Sequence, residues 1–250
     1  MIRTAIVAVF LTLEALILGP ILLLYTAITG NPDLLFKLGV GGVYLISRVV
    51  GLRLKVEGRE KVPAGACLFL ANHTSFVDAA PIIFAIHRRV CILAKKSLFS
   101  IPITGWAFRM AGFVPVDRTN SEAAVASVKL AAERMKQGNS FLAYPEGTRS
   151  IDGRLLPFKK GVFAMAIQAG VPIVPMALAG AHKIAPKKSL RIRPGPVVVR
   201  FGEPVDATQY ALKERDELSN RVRAAIAELL PEEQRPFDLY PELNPDSRNK

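Results

Sequence analysis

The stretch Asn72-His73-Thr74-Ser75-Phe76-Val77-Asp78 sets an imidazole five residues ahead of a carboxylate, in a chain with only 3 histidines. An imidazole titrates at about 6.5 when unperturbed, so it can take a proton from a hydroxyl near neutrality. A carboxylate on its other ring nitrogen fixes the tautomer and stabilises the imidazolium that forms. On one continuous helix, side chains five apart diverge by about 140°. His73 and Asp78 therefore meet only if the histidine sits in a turn and the aspartate in the first turn of the helix that follows. Taken alone, the pair reads more simply as a hydrogen-bonded structural histidine and a helix-terminal charge. The residues downstream reverse that preference.

Two further turns carry polar groups of a matching kind. Phe113 to Val116 reads as a strand ending in Asp117-Arg118, and Phe141 to Tyr144 as a strand delivering Pro145-Glu146-Gly147-Thr148-Arg149-Ser150. A Gly-Thr pair after a strand offers backbone N–H groups and a hydroxyl, and Arg149 adds a forked donor. That set suits an anion of phosphate geometry, with Arg118 as a second arm. Either arginine alone reads as a solvated surface charge. Two basic strand-end turns near a His–Asp pair favour a site, because ligands of open α/β sheets bind at the carboxyl ends of strands.

The elements that must position these turns follow from the hydrophobic pattern. Cys67 to Ala71 is a short buried strand leading into the His73 turn, and Ala79 to Ile86 a helix with Pro81 in its first turn. Leu52 to Glu57 and Val90 to Ala94 read as strands, the latter ending in Lys95-Lys96. Leu98 to Ala111 reads as one helix with a possible kink at Pro102. Thr119 and Glu122 form a capping-box pattern for a helix running to Lys136. Gly161 to Ala169 is a helix, Met176 to Leu178 a strand whose preceding prolines argue for a sheet edge or an irregular entry, Val197 to Phe201 a late strand, and Leu212 to Leu230 a long helix. Strands alternating with helices predict an α/β fold: a mostly parallel mixed sheet covered by helices.

Ahead of this lie two apolar stretches, Ala5 to Ile28 and Leu34 to Val50, joined by Gly30-Asn31-Pro32. The first is just long enough to span a bilayer. With basic residues on both flanks, the pair fits equally a helical hairpin dipping into one leaflet; a buried soluble hairpin is the plainer alternative. The expected organisation is a membrane-associated hairpin over 1–50, an α/β domain over 51–230, and a polar, peripheral tail over 231–250. Lys and Arg number 33 against 21 Asp and Glu, a formal charge of +12 that calls for a polyanionic partner. A hydrophobic fraction of 50% leans away from nucleic acid, and no nucleic-acid signature is present. Cys67 and Cys91 sit in apolar runs as buried thiols, and no clustered Cys/His pattern suggests a metal.

Four blocks now carry a family resemblance: Asn72 to Asp78, Gly112 to Arg118, Tyr144 to Ser150, and Val171-Pro172-Ile173-Val174-Pro175, together with Ala94-Lys95-Lys96-Ser97-Leu98 through Ile101-Pro102 and Gly105-Trp106. In this order and spacing the chain resembles the glycerolipid acyltransferases, the 1-acylglycerol-3-phosphate acyltransferases most closely, over roughly residues 50 to 205. Tyr144 stands where that family often has phenylalanine, keeping the ring and adding a hydroxyl that needs a partner. The resemblance implies transfer of an acyl group from acyl-CoA or acyl-acyl carrier protein to the sn-2 hydroxyl of lysophosphatidic acid, with no resident cofactor. His73 would be the base and Asp78 its orienting partner, with no covalent acyl-enzyme. Arg118, Glu146, Gly147, Thr148, Arg149 and Lys95 would hold substrate. No Gly-x-Ser-x-Gly elbow is present, and Ser75 lies too close to His73 in sequence to serve as a triad nucleophile. Anionic membrane lipids are expected as partners, and the cytoplasmic face of a bacterial inner membrane as the location. Rival readings are another lyso-lipid acceptor such as a lyso-ornithine lipid, hydrolysis of the thioester, and a catalytically silent membrane-binding module.

Overall fold

The computed structural model describes residues 1–117, 120–189 and 191–244. Two antiparallel apolar helices come first, α1 (Ile2–Thr29) and α2 (Asp33–Val49). Gly30 ends α1 in the left-handed region at φ 68°, where glycine carries no Cβ penalty, and its N–H caps Thr26. Seven strands follow: β1 (Leu52–Glu57), β2 (Leu68–Ala71), β3 (Cys91–Lys95), β4 (Val114–Val116), β5 (Phe141–Ala143), β6 (Ile173–Ala179) and β7 (Gly195–Phe201). Helices α3 (Ala79–Ile86), α4 (Thr104–Met110), α5 (Ser121–Lys136), α6 (Gly161–Ala169), α7 (Ala181–Ile184) and α8 (Arg215–Leu229) lie between and after them.

The strands form one sheet in the order β1-β7-β6-β2-β5-β3-β4. Every pairing is parallel except β6–β7. The carboxyl ends of β2 to β6 therefore share one edge of the sheet. Each face is buried by its own apolar cluster. One gathers Leu68, Phe141, Phe163 and Val222 under α5, α6 and α8; the other gathers Phe69, Ile82, Met176 and Val199 under α3 and the hairpin. The mixed, mostly parallel α/β sheet expected from the sequence is the fold observed.

Four local expectations need correction. β6 is interior, between β7 and β2, and not an edge strand. Its Pro175 is tolerated because it falls between the Ile173–Val205 bridge and the ladder with β7 that begins at Met176, where its carbonyl accepts from Gly202 N at 2.8 Å. Leu98 to Ala111 is not one helix: a 3-10 turn over Lys96–Ser100 gives way to α4 at Ile103, whose φ of 62° interrupts the helical path. Helix α5 is capped by Asn120, whose side chain accepts from Ala123 N at 3.0 Å; Thr119, the expected cap, lies outside the described residues. The described part of the tail, residues 232–244, is not peripheral. Gln234 is only 1% exposed, Arg223 grips Asp238 through two hydrogen bonds, and Arg154 lies 3.8 Å over the Phe237 ring.

Helix α1 is docked near both ends. Thr4 Oγ1 accepts from Ile192 N at 3.2 Å, while Leu22 and Leu23 pack with Ile103 and Met110. Gly19 makes the second docking possible, since a Cβ there would stand 2.7 Å from Ile103 Cγ2.

Candidate active site

His73 follows β2 and Asp78 is the residue before α3, as the spacing required. Their side chains meet, Nδ1 to Oδ2, at 2.8 Å. Asp78 is fully buried, while the imidazole retains 18% exposure. Asp78 Oδ2 also accepts the backbone N–H groups of Thr74 at 2.6 Å and Ser75 at 2.8 Å. These bonds fold the turn around the carboxylate and aim the other ring nitrogen away from it. Ser75 Oγ donates to Ala185 O at 2.7 Å and is buried, so it serves the turn and offers no nucleophile. Upstream, the Asn72 amide brackets Leu178 of β6, accepting its N–H at 2.7 Å and donating to its carbonyl at 3.0 Å. The start of the turn is thereby fixed to the neighbouring strand.

The turn after β5 lies beside it. The Tyr144 ring stacks on the imidazole with centroids 4.1 Å apart. Its hydroxyl is buried and has no hydrogen-bond partner among the described residues; burial, with the Asp78 charge, pushes its pKa well up, so it stays a donor. Gly147 turns the chain at φ 68°, and the Lys159 stem lies 3.0 Å from where a Cβ would stand. Thr148 is exposed and Arg149 half-buried. The Arg149 guanidinium makes no hydrogen bond or ion pair among the described residues, which leaves its fork free. Lys187, in the loop after α7, donates to Arg149 O at 2.6 Å and approaches Thr148 Oγ1 at 3.4 Å.

The site residues expected from sequence divide in three. His73, Asp78, Gly147, Thr148 and Arg149 gather on adjacent turns, the two turns tied by Ser150 N donating to His73 O at 2.8 Å. Glu146 is brought there but placed underneath. It is 3% exposed, and its two oxygens accept His73 N at 2.6 Å and Leu156 N at 2.9 Å. The geometry makes it a brace for the His73 turn and leaves no free oxygen facing a ligand. Lys95 ends β3 with its side chain exposed, and among the described residues only its neighbour Lys96 is paired, to Asp117 at 3.3 Å. Arg118 lies outside the described residues.

Burial pushes the Glu146 carboxyl up to about 8, against the two backbone N–H bonds that pull it down. The unfolded chain releases this proton near 4.5, whereas the folded chain holds it to about 8. Stability from this group is therefore full below the lower value and falls as pH rises to the upper one, by at most about 1.4 kcal/mol per pH unit. Denaturant titrations across that window should show the decline, and Glu146→Gln should flatten it.

Sequence reasoning missed Gln234. Its carbonyl accepts Leu155 N at 3.0 Å, its Oε1 accepts Gly180 N at 3.1 Å, and its Nε2 donates to Gly153 O at 3.1 Å. One residue thus ties the end of β6 to the loop whose Leu156 holds Glu146. No local pattern marks such a role for a glutamine in a polar tail. Gln234→Ala should strand buried partners and cost about 1–3 kcal/mol, visible as a lowered Tm.

A cavity of about 440 Å³ opens next to the Tyr144 turn. Leu93, Val116, Val125, Val128 and Val162 line it with Tyr144, and Lys129, Lys159 and Arg215 are its charged lining residues. The arrangement provides a held base, an arginine on the adjacent turn, and an apolar recess.

Residues 53–179 match the family described as Acyltransferase. A 1-acyl-sn-glycerol-3-phosphate acyltransferase of Cocos nucifera is 36% identical over 190 residues, covering 76% of this chain and 61% of that protein. One from Salmonella typhimurium is 33% identical over 184 residues, covering 72% and 74%. The crystal structure of the 1-acyl-sn-glycerophosphate (LPA) acyltransferase PlsC from Thermotoga maritima superposes with a TM-score of 0.77 at 27% identity, covering 90% of this chain and 92% of that one. The chain belongs to the glycerolipid acyltransferase family, with 1-acyl-sn-glycerol-3-phosphate acyltransferases as its relatives.

Proposed function

We propose that this chain transfers a fatty acyl group from a thioester to the sn-2 hydroxyl of lysophosphatidic acid, giving phosphatidic acid. The observation that carries the reading is the 2.8 Å His73–Asp78 contact, with the Arg149 turn tied to it through Ser150 N and His73 O. His73 takes the hydroxyl proton on the ring nitrogen that Asp78 leaves open. The oxygen attacks the thioester carbonyl, the carbon–sulfur bond breaks, and the thiolate recovers the proton from the imidazolium. Asp78 stabilises that imidazolium throughout. Arg149 meets the acceptor phosphate, with Arg118 as its expected second arm and the Gly147-Thr148 turn alongside. The Lys187 bond to Arg149 O holds that turn in place. The apolar cavity suits an acyl chain, and its basic lining residues suit the acidic carrier, coenzyme A or acyl carrier protein. Lys95 faces solvent, where it can meet the same carrier. The reaction needs no resident cofactor.

The hairpin would seat the enzyme in one leaflet, at the cytoplasmic face of a bacterial inner membrane. Among the described residues α1 is the one helix long and apolar enough to cross a membrane by length and composition. The docking argues against crossing. Thr4 and Leu23 are separated by about 28 Å of helix, close to the roughly 30 Å of a bilayer core. A span between them would put Ile192 and Met110, parts of one packed domain, on opposite sides of the membrane.

The test is acyl transfer from acyl-CoA in vesicles, with lysophosphatidate and a phosphate-free lyso-lipid run in parallel. Phosphatidate should form and the phosphate-free acceptor should react poorly. A preference for the phosphate-free acceptor would remove the substrate assignment while leaving the fold untouched. Release of free fatty acid without acceptor would make the chain a hydrolase.

A further inference from the structure

Helices α1 and α4 pack through Leu22 and Leu23 against Ile103 and Met110 but leave a gap beside that contact. Between them lies an apolar groove of about 490 Å³, with Leu23, Leu24 and Ala27 on the α1 side and Trp106, Arg109 and Met110 on the α4 side. The α4 wall is open: Trp106 is 64% exposed, and Ile101 and Leu98, just ahead of it, are exposed as well. On the α1 side Leu24, Tyr25 and Ile28 are exposed in the same way. Large apolar side chains from two separate elements thus form one continuous face, running from the hairpin onto the α/β domain. Soluble surfaces rarely leave so much contiguous apolar area to water. The Arg109 side chain, also exposed, donates to Phe99 O at 3.1 Å through one nitrogen and keeps its remaining donors for an anion.

We propose that this groove is a second membrane-binding element, in which Trp106 enters the acyl-chain layer and Arg109 meets lipid phosphates. The inference rests on the reading of the hairpin as leaflet-seated and goes beyond it, because it brings a surface of the catalytic domain into the bilayer. Three features fit a lipid occupant. An indole is favoured at the boundary between acyl chains and headgroups, where its ring is dry and its N–H wet. An arginine one helical turn along reaches the headgroup level and pairs with phosphate through its fork. The groove is also continuous with the exposed face of α1, so lipid chains lying against α1 extend directly onto α4. The turn Lys96–Ser100 connects this face to the carboxyl end of β3, so a lipid bound here lies on the approach to the site edge of the sheet.

Trp106 is the only tryptophan of the chain, so its fluorescence reports on this surface alone. The 250-residue chain is mixed with vesicles of phosphatidylcholine containing phosphatidylglycerol, with and without bromine on the acyl chains. Emission should shift to the blue and be quenched by the brominated lipids. Trp106→Ser should weaken vesicle partitioning about tenfold or more, as expected for losing one inserted aromatic ring, and Trp106→Phe should restore most of it. Arg109→Gln should reduce the preference for phosphatidylglycerol. If the chain floats with vesicles while Trp106 stays unquenched at its lipid-free wavelength, the groove is no membrane element and the hairpin reading survives. If the chain does not float at all, both fail.

Discussion

Replacing His73 with alanine is expected to lower acyl transfer by about 10²- to 10⁴-fold, the usual contribution of a positioned general base. The fold should be kept, because the scaffold of the turn is the Asp78 carboxylate and its bonds to Thr74 N and Ser75 N, none of which involves the imidazole. Asp78→Asn separates the two duties of that carboxylate. An amide oxygen in the Oδ2 position can still accept from the backbone and the ring, but it carries no charge to stabilise the imidazolium. The loss should be smaller than for His73→Ala and should fall on kcat. Initial rates of phosphatidate formation for the three proteins check both statements. Retention of more than a tenth of wild-type activity by His73→Ala would remove the base from the mechanism.

The second large effect is expected at Arg149. Its guanidinium has no partner among the described residues, so removing it exposes no buried charge and should barely move the Tm. Its loss from a phosphate contact is worth about 1.5–3 kcal/mol, the range for hydrogen bonds to charged groups. That corresponds to about a 10- to 150-fold drop in kcat/KM for lysophosphatidate. A phosphate-free lyso-lipid should be unaffected by Arg149→Ala, and this contrast makes the test one of recognition. Lys187→Ala should give a smaller loss in the same direction, since it acts through the Arg149 carbonyl.

The His–Asp pair was legible because its five-residue spacing is compatible with only one local geometry, a strand entering a turn ahead of a helix. The strands around it were legible because each is a short apolar run bounded by polar residues. What escaped the sequence depends on long-range pairing. Glu146 reads as one more polar group in a ligand-binding turn. Only the fold brings His73 N and Leu156 N onto its oxygens, turning a presumed ligand contact into a buried brace. Pro175 reads as marking a sheet edge or an irregular entry because a proline lacks a donor; the interior strand takes the second form, with the β7 ladder starting only at Met176. Gln234 sits in a charged, Pro-containing tail, and nothing local distinguishes it from its solvated neighbours.

The docking of α1 also bears on how the chain assembles. Thr4 and its partner Ile192 are 188 residues apart, and β1 completes its edge of the sheet only when β7 has been made. At about 5–20 residues per second, roughly 10 to 40 seconds of translation separate the apolar helix from the surface that receives it. During that interval the side of α1 that later docks on the α/β domain has only α2 beside it. Early capture of the nascent hairpin by lipid, before the sheet exists, would protect it from aggregation and bring the β-strands together at the membrane surface. Maturation should then be faster in the presence of vesicles than in detergent-free buffer.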